Sequence, residues 1–428
     1  MTFKSWRRWF PPAISIVALL FLSYVLGAAV VRFRWPTSQY LLDAFEGAQA
    51  WSEHQKELAA SADSSTVNSP TLNNVDIPER TFDGFTLYTT GVDSEARLIN
   101  MRGQLIHRWS APFRTIWPRP THLRDVVPED KIHLFDCHLY PNGDLLMVYH
   151  GTGETPYGFG LAKLDKNSNV IWKYSANVHH AVDVGPDGTV YVLTQHLVHE
   201  LPKGLEFLPC PALVDNLVLL SPDGKELKSI PLLEALLDSP YAALLRPGAY
   251  ESEHGWDVLH TNSIEVLRPE IASKFPQFRP GQVLISVREL DALAMVDPEK
   301  GSIVWAARGP WQSQHDPHFL DNGHILVFDN HGANKFARVL EYDPQSQACP
   351  WCYPGPQSPK FTSSIQGRCQ RLPNGNTLVV NSERGVIMEI TKDMDLVWSC
   401  GCHVHVPYAH RYAPEQLTFL KGAHNVRP

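Results

Sequence analysis

From about residue 83 onward, apolar runs of strand length alternate with short clusters of Gly, Pro, Asn and Asp. FDCHLYPNGDLLMVYHG is followed by FGLAKLDKNSNVIWKY, and HHAVDVGPDGTVYVLTQ by DNLVLLSPDGKELKSI. HTNSIEVL leads through PGQVLISVREL to DALAMVDPEKGSIVWAA. QSQHDPHFLDNGHILVFDNHG leads to ARVLEYDPQSQACPWCY, and GRCQRLPNGNTLVVNSE to GVIMEITKDMDLVWSC. Each unit reads as a strand, a turn, a second strand, and two further strands split by another turn. The Asn-Gly and Asp-Gly pairs suit tight hairpins because both residues tolerate positive φ. An earlier fragment, FTLYTTG with ARLINMRGQLIHRW, has the last three strands of a unit and lacks the first.

Counting that fragment gives about six units spaced roughly 40 to 50 residues apart, the period of a four-stranded propeller blade. The pattern therefore predicts an all-β, six-bladed β-propeller over 81–428, and ranks a pair of β-sandwiches below it. Trp109, Trp172, Trp305, Trp351 and Trp398 fall in the last strand of five units, where a large ring can fill the space between blades. The missing strand is expected from the C-terminal YAPEQLTFLKG, which would close the ring by joining both ends of the chain. ELKSIPLLEALLDSPYAALL reads as a small helical insertion.

The N-terminus breaks the pattern. Residues 1–10 carry Lys4, Arg7 and Arg8, and the uncharged run of 11–31 is about long enough to cross a bilayer core. An uncleaved transmembrane signal-anchor helix is expected there, ahead of a cleaved signal peptide ending near Gly27, Ala28 and Ala29. Residues 32–80 read as a short amphipathic helix followed by a polar linker. Although Arg32 and Arg34 weaken the charge asymmetry, the three leading cations favour a cytoplasmic N-terminus and an extracytoplasmic body.

Composition adds one exclusion and one question. A net charge of −8 and the absence of a long basic run argue against nucleic-acid binding, while 43% apolar residues suffice for a core. The question concerns seven cysteines. CPWC at Cys349 and Cys352, with CGC at Cys400 and Cys402 before His403 and His405, could hold zinc. In an oxidising compartment disulfide pairing is the commoner fate. Cys137, Cys210 and Cys369 read as buried small apolar residues.

The first strand of a propeller blade lines the central channel, so the repeat gathers histidines. Aligned on the hairpin glycine, His180 and His315 both sit eight residues before Gly188 and Gly323. His138 and His318 share a second offset, five before Gly143 and Gly323, where Asp183 and Gln370 also fall. His260 in HTNSI and Arg288 in SVREL extend the set. A lone histidine before a turn is usually structural, but imidazoles repeated in several blades beside an arginine point to an anion. Asp136, Asp183 and Asp316 keep a metal in play. His107, His150, His196, His199, His331 and His410 are left as structural or surface residues, and Asn330 as part of a turn.

HLYPNGDLL, PYGFGLAKLD, VIWKYSANVHHAVDVGPDG, HTNSIEVL, GPWQSQHDPHFLDNGHILVFDN and QRLPNGNTLVVN, in that order, resemble the arylsulfotransferase family. These are sulfuryl transferases that do not use an adenosine-phosphosulfate donor. The resemblance runs from about Asp83 to Val397. It implies an exported six-bladed propeller, most simply in a bacterial periplasm on the inner membrane. It also implies transfer of a sulfuryl group from an aryl sulfate to a phenol through a sulfohistidine, with no cofactor. Carried over by motif, His315 in QHD is the nucleophile, and His180, His260 and Arg288 bind the sulfate oxygens. His138, His318, Asn262 and Gln370 are expected to line the substrate channel. The chain departs from the pattern at Asp316 and Pro317, where a small residue is expected after the QH pair.

The chemistry suits these residue types. An aryl sulfate carries negative charge on oxygens that shield its sulfur, so a neutral imidazole is an apt nucleophile. Arginine offers a planar fork for two sulfate oxygens. The rival reading is a non-catalytic, membrane-anchored propeller binding a partner or an anionic ligand. A quinoprotein-type or metal-dependent oxidoreductase ranks third, because the chain has no vicinal cysteine pair and no regular tryptophan-docking repeat.

Overall fold

The computed structural model describes residues 71–421, except 125–126, 153–155, 209, 246–256, 333–334 and 357, together with Ser23. The expected signal-anchor helix at 11–31 and the amphipathic helix that follows it lie outside the described residues. Among the described residues no helix is long and apolar enough to cross a membrane.

Among the described residues six antiparallel sheets account for nearly all the regular structure. Blade 2 comprises Ile132–Leu139, Leu145–Gly151, Gly158–Leu164 and Val170–Tyr174. Blades 3, 4 and 5 repeat that order from inner strands Val178–Val184, Thr261–Val266 and His315–Phe319. Blade 6 begins at Arg368–Arg371. The glycines on which the repeats align share one backbone state, with φ of +88° at Gly143, +83° at Gly188, +86° at Gly323 and +87° at Gly375. Such a turn excludes most side chains on steric grounds.

Closure differs in detail from the expectation. The inner strand of blade 1 is Ala409–Tyr412, which pairs with Phe85–Thr89. It therefore precedes most of YAPEQLTFLKG. Pro414 lacks the N–H that would continue the ladder, and the chain turns there into two 3-10 segments, Pro414–Gln416 and Thr418–Leu420. Blade 6 also gains a fifth, outermost strand, Thr71–Asp76, from the stretch expected to be linker. An edge strand buries little, so its polar sequence gave no signal. The insertion is shorter than its apolar pattern implied: Glu226–Pro231 is the last strand of blade 3, and only Leu232–Leu237 is α-helical, burying Leu232, Leu233 and Leu236.

The tryptophans occupy the spaces assigned to them. Trp109 and Trp398 are fully buried. Four indoles donate to carbonyls of the following blade: Trp109 to Gly143, Trp172 to Pro222, Trp351 to Lys392 and Trp398 to Met101. Gly224 is glycine because a Cβ there would come within 2.6 Å of the Trp172 ring.

A second device links the inner strands. A side-chain acceptor on one takes a backbone N–H from the next: Asp136 from Val182, Asp183 from Val266, Glu265 from Phe319, Asp316 from Cys369 and Gln370 from Arg411. Between blades 1 and 2 the Tyr412 hydroxyl oxygen accepts from the Leu139 amide. These acceptors satisfy buried N–H groups that sheet pairing within one blade cannot reach. The ring thus fixes the relative height of every inner strand, and with it the histidines those strands carry.

Candidate active site

Each inner strand of blades 2 to 5 is bulged near its start. Register breaks at Phe135, at His180 with Ala181, at Asn262, and at Asp316 with Pro317. A bulge re-aims side chains and recurs beside functional sites. The backbone here is strained as well as bulged. His180 has φ +54°, His260 +46°, Ser313 +53° and Asp316 +53°. L-residues in this region cost on the order of 1 kcal/mol each, a cost that structure tolerates mainly where geometry serves function.

The strained residues converge. The rings of His180 and His260 are 4.9 Å apart, with Phe135 4.6 Å and Tyr157 5.4 Å from His180. His315, only 6% exposed, is pushed down to about 3 by burial, by the Arg288 charge and by His260. His180 is driven well below its ordinary value by burial and by His260, His179, His150 and His315. The four residues expected to act on sulfate are therefore neighbours. Arg288 is itself ion-paired with Glu289, which orients the guanidinium. Asp257 lies 2.9 Å from His260 Nδ1 and accepts the Tyr157 hydroxyl at 2.9 Å.

His315 has a defined tautomer. Its Nδ1 is 2.7 Å from Asn330 Oδ1 and 3.0 Å from the Ser313 carbonyl, and both are acceptors. Asn330 Nδ2 donates to the carbonyls of Ser363 and Gln366, so its oxygen must face the imidazole. Nδ1 therefore carries the hydrogen, and Nε2 presents a lone pair with no hydrogen-bond partner among the described residues. The sequence places Asn330 in a turn, and the neighbouring Asp316 carboxylate makes no hydrogen bond to His315 among the described residues. Asp316 instead accepts from Arg368 at 2.8 Å and from the Cys369 amide at 2.7 Å, with His318 Nε2 at 3.1 Å. If His315 is the nucleophile that the resemblance implies, Asn330→Ala is expected to lower kcat about 10²-fold while KM changes little, because the shorter of the two contacts that hold the Nδ1–H tautomer is lost and only the Ser313 carbonyl remains. Steady-state rates with one aryl sulfate donor would check this.

The other expected substrate-lining residues form a different group: His138, His318 and Gln370 share the position five residues before the hairpin glycine, and Asn262 lies two residues beyond His260. His318 lies between Asp316 and Glu265, whose charges hold it well above its ordinary value despite burial. His138 stacks edge-on against Tyr140, and burial lowers it to about 4. Gln370 bonds His410 and both backbone groups of Arg411. Asn262 donates to the Gln314 carbonyl and so braces the residue before His315. In this structure Gln370 and Asn262 are thus engaged with protein.

Sequence reasoning also passed over His150, His179, Tyr157 and Asp257. His150, set aside as structural, is 5.6 Å from His180, with both nitrogens buried and unpaired.

The cysteines take a plainer form. All seven are free thiols. Cys137 and Cys369 are buried, but Cys210 is exposed, contrary to expectation, because it lies in a loop between blade strands. CPWC and CGC sit on the outer strands of different blades, and no group of three or more potential ligands meets among the described residues.

Four buried imidazoles, His133, His179, His180 and His315, are all shifted downwards by burial. For such groups the unfolded chain binds more protons than the folded one below about pH 6.5, so stability falls as pH drops through that window. The raised carboxyls of Asp136, at about 6, and Asp215, together with the raised imidazole of His318, act in the opposite sense, while His138, His150, His405 and His410 are lowered like the first four. The histidines outnumber them, so the unfolding midpoint is expected to fall between pH 7 and pH 4. Thermal melts across that range would check it.

A family model described as Arylsulfotransferase (ASST) matches residues 137–403. No curated protein matches the chain. Among solved structures, a protein of unknown function from Bacteroides caccae aligns at 12% identity and TM-score 0.48, covering 74% of this chain and 93% of its own. A streptogramin B lyase aligns at 10% identity and TM-score 0.43, covering 78% and 84%. Virginiamycin B lyase from Staphylococcus aureus aligns at 10% identity and TM-score 0.36, covering 62% and 69%.

Proposed function

Since the chain belongs to the arylsulfotransferase family, we propose that it moves a sulfuryl group from an aryl sulfate to a phenolic acceptor through a sulfohistidine at His315. The observation that carries this reading is the enforced tautomer of His315. A buried imidazole, neutral at any working pH and with Nε2 bare, is a nucleophile held ready.

In the first half-reaction the Nε2 lone pair attacks sulfur, and the bond from sulfur to the aryl oxygen breaks. The Nδ1–H stays on Asn330 and Ser313, so the positive charge developing on the ring meets two fixed acceptors. The oriented Arg288 guanidinium donates to the sulfuryl oxygens, and His260, its Nδ1 set against Asp257, lines the same pocket. Donors fixed in advance where charge gathers are worth roughly 3 kcal/mol each. His180 protonates the departing aryl oxygen. In the second half-reaction His180 takes the proton of the incoming phenol, whose oxygen attacks sulfur as the bond to Nε2 breaks. Phe135 and Tyr157, beside His180, offer ring faces to an aromatic donor or acceptor. No step calls for a cofactor.

We place the reaction on the extracytoplasmic side of a membrane, held there by the apolar segment at 11–31. The experiment is steady-state kinetics with 4-nitrophenyl sulfate and phenol varied together. Parallel double-reciprocal lines, and release of 4-nitrophenol that depends on the acceptor, are expected. Intersecting lines would contradict the covalent route. No release from a folded sample would remove the sulfotransfer reading and favour an anion-binding propeller.

A further inference from the structure

His180 has a partner that the mechanism above leaves unused. Its Nδ1 lies 2.8 Å from Nδ1 of His179, the preceding residue, with the two rings nearly perpendicular. Only one hydrogen can occupy that contact, so one ring donates and the other accepts. The opposite nitrogen of His179, Nε2, lies 3.5 Å from Asp215 Oδ1. Both residues are wholly buried, and both of these atoms lack any other hydrogen-bond partner. Two such atoms facing each other satisfy one another only if a hydrogen lies between them. The other Asp215 oxygen is already committed to the Thr261 amide at 2.7 Å. The Thr194 carbonyl and the Asp257 carboxylate also face His179, and Tyr157 packs edge-on against it.

We propose that Asp215 and His179 form a proton relay to His180, with Asp215 as the buried store for the proton exchanged with the aryl oxygen. The inference rests on the sulfotransfer reading and deepens it. Before the first half-reaction the Asp215 carboxyl is protonated and donates to His179 Nε2. His179 Nδ1–H donates to His180 Nδ1, and His180 Nε2–H faces the aryl oxygen. As the bond from sulfur to oxygen breaks, the aryl oxygen takes the Nε2 proton. His180 Nδ1 takes the His179 proton, and His179 Nε2 takes that of Asp215. One proton has left Asp215 and one phenol has formed. His180 Nε2 is now bare and is the base the second phenol needs, so the second half-reaction runs the relay backwards.

Two neighbouring carboxyls make up the store. Asp257, next to Asp215, is held in its charged form by His260 and Tyr157, and that charge, after burial, pushes Asp215 well above the usual carboxylate range. One proton is thus retained in a pair of buried acids. His179 and Asp215 are positioning residues, since neither touches the substrate.

The test compares two donors that differ in their need for an acid. 4-Nitrophenoxide leaves readily without protonation, whereas 4-methylphenoxide does not. In His179→Phe and Asp215→Asn, kcat/KM for 4-methylphenyl sulfate is expected to fall about 10²-fold or more. For 4-nitrophenyl sulfate the loss should stay below about tenfold by the same reasoning. Equal losses on both donors would mean a structural role only and would overturn the relay while leaving sulfotransfer intact. No turnover by the wild type with either donor would overturn both. Wild-type protein supplies an independent measurement if either variant fails to fold: a proton inventory with 4-methylphenyl sulfate in mixtures of light and heavy water. A curved inventory, from more than one proton in flight, is expected; a linear one would contradict the relay.

Discussion

His315→Ala is expected to lower kcat/KM for any aryl sulfate by at least ~10⁴-fold, the scale on which loss of a covalent nucleophile is felt. In the proposed mechanism His180 is committed to moving the proton and Arg288 to holding the sulfuryl oxygens, which leaves the attack to His315. The fold should survive, because among the described residues the side chain makes hydrogen bonds only to Asn330 and the Ser313 carbonyl. Leaving the Asn330 oxygen unpaired costs about 1–3 kcal/mol. Initial rates with 4-nitrophenyl sulfate, alongside a thermal melt, separate loss of chemistry from loss of structure. Partial recovery of donor cleavage by added imidazole would show that the missing group is the imidazole itself.

The next residue in the chain has the largest expected effect on stability. Asp316 accepts from the Arg368 guanidinium and the Cys369 amide, and thereby joins blades 5 and 6. Burial would raise its carboxyl, but His318 and Arg368 outweigh it and hold the group well below the usual carboxylate range. In Asp316→Ala, the buried Arg368 keeps only Asp136, at 3.6 Å, as a countercharge. Breaking a buried pair on one side costs about 3–5 kcal/mol, because the remaining charge stays desolvated. The midpoint of urea unfolding should fall accordingly, with Asp316→Asn intermediate because it can still accept from the Cys369 amide. A midpoint unchanged in Asp316→Ala would show that the network contributes little. The contrast with the preceding residue is instructive: His315 and Asp316 are adjacent in sequence but serve chemistry and ring closure separately.

Much of the architecture is legible in the sequence because a blade is a local object. Its hairpins are set by Asn-Gly and Asp-Gly turns, and its outer tryptophans mark the spaces between blades. The shared position of His180 and His315, eight residues before the hairpin glycine, emerges in space as two imidazoles of one buried cluster, each close enough to His260 to feel its charge. What escaped was mostly non-local. Asp257 and Tyr157 reach His180 from loops whose separation in sequence gives no clue to their meeting. Asp136, Asp183 and Gln370 looked like channel residues, yet they tie neighbouring inner strands, a role that appears only once the ring is closed. Asn330 was within reach. The hairpin register sets His315 opposite Phe328, and Asn330, two residues further along, presents its side chain to the His315 ring. The closing strand was misplaced by a few residues because Ala409–Tyr412 carries His410 and Arg411, which face buried polar partners where apolar residues were sought.

The central claim is that His315 Nε2 carries the sulfuryl group between donor and acceptor. The most direct measurement mixes the protein with excess 4-nitrophenyl sulfate in the absence of any phenol acceptor, quenches within seconds, and records intact mass followed by peptide mapping. The account predicts one added sulfuryl group, located on the peptide containing His315, lost on addition of phenol and absent from His315→Ala. Turnover with no adduct, or an adduct that persists in His315→Ala, would contradict it.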